Sequence, residues 1–310
     1  MKLLFLGAGA TGGYFGGRLA AADSDVTFLV RPARAARMRD RPLRIESPLG
    51  NAATPVKAIT GDGLAGASYD LVVLSCKAYD LDDAIAAVRP AVGEGTRVLP
   101  VLNGLAHLDR LDAAFGTERV LGGLCQIAST LAEDGTVRHL NRTHLLVFGA
   151  RTAEQRSFCE ALLGEISGRG FDVQLSDDIG LEMWEKWVLL ATLAAVTCLM
   201  RAPIGDIVAA PGGEPLIGET LAECAAIATA AGSAPRQQTM ARIRGVLTEP
   251  GSSFAASMLR DIEAGRRIEA DHIIGDLIAR AAALGVATPR LAATYCHLKA
   301  YESRRTRQAG

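Results

Sequence analysis

Six residues near the N-terminus, Gly7-Ala8-Gly9-Ala10-Thr11-Gly12, constrain the fold of this chain more than any other segment. They follow a short, unbroken apolar run, Lys2 to Leu6, and they open a helix-forming stretch that reaches Ala22. A second apolar run, Val26 to Val30, comes next and is rich in β-branched residues. Strand, turn, helix and strand in such close succession make a βαβ unit, whose right-handed crossover pairs the two strands in parallel. In that setting each glycine has a task. Gly7 permits a tight turn, Gly9 lets backbone approach a pyrophosphate, and Gly12 lets the helix lie close on the strand. The free N–H groups of the first helical turn then face the phosphates. A secretory leader also starts with a lysine and an apolar run. Gly7, Gly9, Gly12 and Gly13 would weaken its helical core, so a buried strand is the expectation.

The end of the second strand decides which dinucleotide such a unit takes. An NAD site carries Asp or Glu there to bind the ribose hydroxyls. Here Val30 is followed by Arg31, and the nearby acids Asp23 and Asp25 precede the strand. A guanidinium at that point pairs with a 2′-phosphate through charge-assisted hydrogen bonds, so Arg31, with Arg34 as a second candidate, favours NADP over NAD. The competing account is a pair of solvated arginines that start the next helix.

Beyond Val30 the alternation of short apolar runs and helical stretches continues. Residues 43–60 read as a hairpin-like insertion, Leu71 to Ser75 as a buried strand, Leu81 to Arg89 as a helix, and Arg97 to Leu102 as a strand ending at Asn103-Gly104. Leu105 to Phe115 reads as a helix, followed by strand-like runs Val120 to Ile127, Val137 to Leu140 and Leu145 to Phe148. A helix, Ala153 to Ser167, and a strand, Phe171 to Leu175, close this part. Everything after Asp178 reads as helix, with long runs over Leu181 to Met200, Glu214 to Ala231 and Met258 to Leu284. The expected class is therefore α/β, an N-terminal Rossmann-type doubly wound sheet over residues 1–177 followed by an all-helical domain over 178–310. A length of 310 residues suits two domains.

Composition excludes several partner classes. A formal charge of −1 gives no electrostatic reason to bind nucleic acid, and Arg304, Arg305 and Arg307 read as a frayed basic tail. Trp187 to Met200 is too short an apolar run to cross a bilayer. The six cysteines are far apart and form no C-x-x-C pair, so neither zinc nor a disulfide framework is expected. Most of them read as small buried residues in a reducing compartment, which points to the cytoplasm. The five histidines lack metal-ligand spacing. Among them His272, three residues after Glu269, is placed to face a cleft between the domains, although a single histidine on a helix is more often structural.

In chain order the glycine turn, Ser75-Cys76-Lys77, Asn103-Gly104, Lys186 and the segment from Ser257 to Glu269 together resemble the ketopantoate reductase family over nearly the whole length. That resemblance implies NADPH-dependent reduction of a small-molecule 2-oxo acid, 2-dehydropantoate, to pantoate in a cleft between a Rossmann domain and a helical domain. It implies that Lys186 is the general acid, protonating the carbonyl oxygen as hydride arrives. By the same resemblance Asn103 and Lys77 serve both cofactor and substrate, Ser257 bonds the substrate, and Glu269 sits beside the nicotinamide ribose. The residues alone leave plainer options open. Glu182, four residues before Lys186, would make an ordinary surface pair with it, Asn103 suits a plain turn, and Lys77, Ser257 and Glu269 suit solvated positions.

Two positions depart from the family pattern, which places asparagines four and eight residues after the lysine. Leu190 and Ala194 stand there instead. A site that has lost two amide partners loses discrimination for hydroxyl groups, which directs attention to a more apolar 2-oxo acid or another small, more apolar ketone. An NADP-responsive regulator without catalysis is the alternative from another class. The sequence leaves a homodimer open.

Overall fold

The computed structural model describes residues 1–64 and 66–309. The chain divides into two compact units, Met1–Leu102 with His107–Ile179, and Asn103–Ala106 with Gly180–Gly310.

The first unit opens with β1 (Lys2–Leu6), α1 (Ala10–Ala21), β2 (Asp25–Leu29), α2 (Pro32–Asp40), β3 (Leu43–Glu46), β4 (Ala52–Thr54) and β5 (Lys57–Ile59). It continues through β6 (Leu71–Leu74), α3 (Leu81–Val88), β7 (Arg97–Pro100), α4 (Ala106–Phe115), β8 (Gly122–Leu131), β9 (Val137–Gly149), α5 (Arg156–Ile166) and β10 (Asp172–Leu175). Five strands form a parallel sheet in the order β5-β2-β1-β6-β7. This is the doubly wound arrangement that the glycine turn implied. Leu3 and Leu4 of β1 are fully buried because both faces of a parallel sheet are covered. Each such side chain contributes about 1.5–3 kcal/mol by leaving water.

A second sheet runs β10-β9-β3-β4, with β8 antiparallel on β9 and a register shift between Ile127 and Ser129. Helix α1 packs against both sheets, and its small residues make that possible. A Cβ on Gly16 would lie 2.7 Å from the Phe28 ring, and one on Gly17 would lie 2.9 Å from Leu43 and Ile45.

The sequence reading of residues 43–60 as one insertion needs correction. The hairpin is β3 with β4, which join the second sheet, whereas β5 leaves it to run parallel to β2 at the edge of the first. Runs of three or four residues carry no periodicity that separates these partners, so long-range pairing decides. The strand-like runs 137–140 and 145–148 are likewise one strand, β9.

The second unit is helical: α6 (Ile179–Met200), α7 (Ile204–Ala209), α8 (Gly213–Ala230), α9 (Gln237–Leu247), α10 (Ser257–Glu263), α11 (Asp276–Ala283) and α12 (Pro289–Ala309). Helix α6 is long and apolar enough to cross a membrane by length and composition, but 72% of its most apolar window is buried inside the protein. A helix apolar on every side belongs in a core. The run Met258 to Leu284 is not one helix. It breaks after α10 at Gly265 (φ +67°) and resumes through a π-helical turn, Asp271–Gly275, into α11. The basic residues at 304, 305 and 307 lie on the last turns of α12 rather than on a frayed tail. Four of the six cysteines are buried, and burial raises the thiols of Cys198 and Cys224 to about 12.

Candidate active site

The glycine turn has the geometry its sequence requires. Gly7 has φ +83°, a conformation that costs a side chain, and its N–H donates to the Leu29 carbonyl at 2.8 Å, fastening the turn to the end of β2. A Cβ on Gly12 would lie 2.4 Å from Ser75 Oγ and 3.0 Å from the Gly7 carbonyl, so only glycine lets α1 approach the end of β6. Gly9 is the N-cap of α1 and provides no side-chain cap, and a Cβ there would meet nothing within 4 Å. The first bond of the helix runs from Gly13 N–H to the Gly9 carbonyl at 2.9 Å. The amides of Ala10, Thr11 and Gly12 therefore have no carbonyl one turn back within the helix. Open space over an uncapped helix start fits a phosphate-bearing ligand. Ala8, by contrast, is buried and turns its carbonyl to Arg34.

The strand order reverses between β1 and β6, and ligands of doubly wound sheets bind outside the carboxyl ends of the strands at such a switch point. The glycine turn leaves β1 there, and Ser75-Cys76-Lys77 leaves β6 beside it. Lys77 is half-buried at the start of a short 3₁₀ turn, Ala78–Asp80. The structure separates the two arginines that the sequence grouped. Arg31 is exposed at the N-cap of α2, directly past β2. Arg34 turns back instead, and its Nη2 donates to the carbonyls of Ala8 (3.1 Å) and Gly135 (3.0 Å). Burial, and then Arg37 nearby, lower its pKa. Arg34 is thus a brace for the turn, a role that no sequence signal announced.

In the helical unit Lys186, Leu190 and Ala194 recur every four residues and share one face of α6. Lys186 and Leu190 are half-buried and Ala194 is buried. The carboxylates on either side of that face have a partner elsewhere. Arg236 donates to Glu182 at 2.8 Å and, through its backbone N–H and Nε, to Glu185 at 2.7 and 2.9 Å. Burial pushes the Glu185 carboxyl upward, but the bonds from Arg236 outweigh it and hold the group below its usual range. Ser257 is exposed at the first position of α10, and the residue before it, Ala256, donates its N–H to Thr197 Oγ1 at 3.4 Å. The start of α10 is thereby set against α6. Glu269 is half-buried just before the π turn, and its carbonyl accepts from Ile273 N–H at 3.0 Å.

Asn103 was expected at the carboxyl edge of the parallel sheet. It follows β7 by three residues, but the segment Asn103–Ala106 groups with the helical unit. There its carbonyl accepts a hydrogen bond from His272 Nε2. Trp187, next to Lys186, donates from Nε1 to the Ile273 carbonyl at 3.0 Å. The π turn therefore touches the neighbourhoods of Asn103, Lys186 and Glu269. Neither Trp187 nor the placement of His272 stood out in the sequence, because a π turn has no short motif.

Comparison with known proteins agrees with this geometry. The profile of ketopantoate reductase PanE/ApbA matches residues 3–152, and that of its C-terminal domain matches residues 178–302. The chain belongs to the ketopantoate reductase family. It is an oxidoreductase of that family. It is similar to an uncharacterized oxidoreductase, YkpB, of Bacillus subtilis, with 36% identity over 98% of this chain and 99% of the other. The structure of a PanE/ApbA family ketopantoate reductase from Ralstonia eutropha aligns with TM-score 0.88 and 28% identity over 99% and 100% of the two chains. A D-mandelate dehydrogenase with NADH and anilino(oxo)acetate shares the fold, with TM-score 0.89 and 20% identity over 99% of each chain.

Proposed function

We propose that this chain uses NADPH to reduce a 2-oxo acid to the 2-hydroxy acid, its substrate being 2-dehydropantoate or a close analogue with a more apolar tail. The observation that carries the reading is the open, uncapped glycine turn after β1, in a chain of this family that also places a half-buried lysine, Lys186, on the core helix α6. The open, uncapped start of α1 would hold the pyrophosphate, and exposed Arg31 would hold a 2′-phosphate, since no acid occupies the end of β2. The bound dinucleotide would supply the hydride.

This chain's own residues do the rest. Lys186 delivers a proton from Nζ to the substrate oxygen as hydride reaches the carbonyl carbon, and its charge stabilises the developing alkoxide. Asn103 and Lys77 orient cofactor and substrate, Ser257 donates to the substrate, and Glu269 accepts from the nicotinamide ribose. Leu190 and Ala194 offer no hydrogen bond to a substrate hydroxyl, which supports an apolar tail. The aryl 2-oxo compound bound by the D-mandelate dehydrogenase of the same fold supports it too.

The test is a panel of 2-oxo acids graded from hydroxylated to alkyl and aryl, followed by NADPH absorbance, with NADPH and NADH titrated in parallel. The expected result is saturable binding with preference for NADPH, and oxidation fastest with the apolar acids. Binding without oxidation of any panel member would favour a cofactor-responsive regulator. Absence of saturable binding to folded protein would overturn the reading.

A further inference from the structure

We propose that His272 is a positioning residue, holding the Asn103-Gly104 turn in the conformation from which the Asn103 amide meets cofactor and substrate. The proposal rests on the functional reading above for what Asn103 does, but its structural half stands by itself.

Four observations converge on one short segment. First, His272 Nε2 lies within hydrogen-bonding distance of the Asn103 carbonyl, 169 residues away in sequence. A carbonyl only accepts, so Nε2 carries the proton in this bond. Second, the turn is shaped to receive the ring. Gly104 has φ +75°, and a Cβ there would lie 3.1 Å from His272 Cδ2 and Nε2 and 3.2 Å from its carbonyl. Third, His272 belongs to the π turn, where the Asp276 N–H reaches the Asp271 carbonyl five residues back instead of the usual four. Such turns are rare, and they redirect side chains that a regular helix would point elsewhere. Fourth, the same turn accepts Trp187 Nε1 at the Ile273 carbonyl and is continuous with Glu269 through the Ile273 N–H.

A single element thus fixes Asn103 through a side chain, the residue after Lys186 through a carbonyl, and Glu269 through its own backbone. An asparagine that follows a strand by a flexible turn needs such a hold, because its side chain is only as well placed as its backbone dihedrals. The bond to Asn103 uses the backbone carbonyl and does not engage the side-chain amide.

Three variants and two readouts test this. His272→Leu removes the donor and His272→Gln retains one at similar reach, while Gly104→Ala leaves the donor in the chain but crowds the ring. In the cofactor-free protein, amide hydrogen exchange over residues 103–106 should quicken about fivefold in His272→Leu, the effect of losing one net hydrogen bond, and return toward the parent rate in His272→Gln. With NADPH present, KM for the best 2-oxo acid should rise about fivefold in His272→Leu with less change in kcat, and Gln should restore it. Gly104→Ala should resemble His272→Leu in both readouts. Unchanged exchange and KM in folded His272→Leu would overturn the proposal, as would His272→Gln behaving like His272→Leu at an unaltered melting temperature. If the parent protein reduces no 2-oxo acid, the functional reading fails while the exchange measurement still decides the positioning role.

Discussion

The two candidate regions, one in each unit, are built in opposite ways. The glycine turn is local: Gly7, Gly9 and Gly12 lie within six residues, and the positive φ of Gly7 and the close neighbours of Gly12 account for two of them. The helical site is assembled from residues 103, 186, 257 and 269, and hydrogen bonds spanning 86 and 169 residues hold it in register. Two positions of the glycine turn resist a side chain: a methyl group on Gly12 would collide with Ser75 and the Gly7 carbonyl, and Gly7 has a positive φ. The assembled region depends instead on a frame of distant hydrogen bonds, and Leu190 and Ala194, whose side chains form none, share the α6 face of Lys186. On the proposed reading, the local region holds the cofactor and the assembled region chooses the substrate.

The sharpest way to break this division is Lys186→Ala. Turnover should fall about a thousandfold, within the range that a general acid supplies, with NADPH affinity and melting temperature nearly unchanged. Turnover like that of the parent would remove Lys186 from the chemistry, and weakened NADPH binding would blur the division. Gly12→Ala should do the reverse. The added methyl would lie 2.4 Å from Ser75 Oγ, so the N-terminal unit should lose about 1–3 kcal/mol of stability and NADPH binding should weaken. Denaturant unfolding and cofactor titration check both effects. A smaller change is expected from Arg31→Ala, which should reduce NADPH affinity about tenfold and leave NADH affinity as it was. Equal losses for the two cofactors would assign Arg31 a structural role.

The smallest effect concerns pH. Burial first, with His139 and Arg18 nearby, holds the His144 imidazole below its ordinary value of 6.5, against the opposing pull of Asp172. Tyr14 OH meets its Nδ1 at 2.8 Å. The folded protein therefore binds this proton less readily than the unfolded chain, so stability should decline as pH falls below 6.5 and stop declining once the lowered folded value is passed. His144→Gln should flatten that shallow slope in melting curves between pH 7 and 5. An unaltered slope would show that other groups set it.

Legibility followed the same divide. The strand, glycine turn, helix and strand of residues 2–30, the parallel class of the first sheet and the helical character of the C-terminal part were all readable, because each rests on local pattern. The partition of residues 43–60 was not, since β4 and β5 are three residues each, too short for periodicity to tell which strands they meet. Glu182 illustrates the limit most plainly. Spacing along the helix offered only Lys186 as its neighbour, and nothing local announced Arg236, 54 residues away, which donates to its carboxylate. Arg34 was grouped with Arg31 by adjacency and braces the Ala8 carbonyl instead.

By itself, then, the order of amino acids determined the dinucleotide-type turn, the α/β class and the family, because steric limits on glycine and the burial of apolar runs act over a few residues at a time. Which polar groups meet was decided only by tertiary packing. Arg236 with Glu185, His272 with Asn103 and Trp187 with Ile273 depend on helices and turns brought together from distant parts of the chain. A buried donor must find an acceptor, but many candidates satisfy that demand until the fold leaves one within reach.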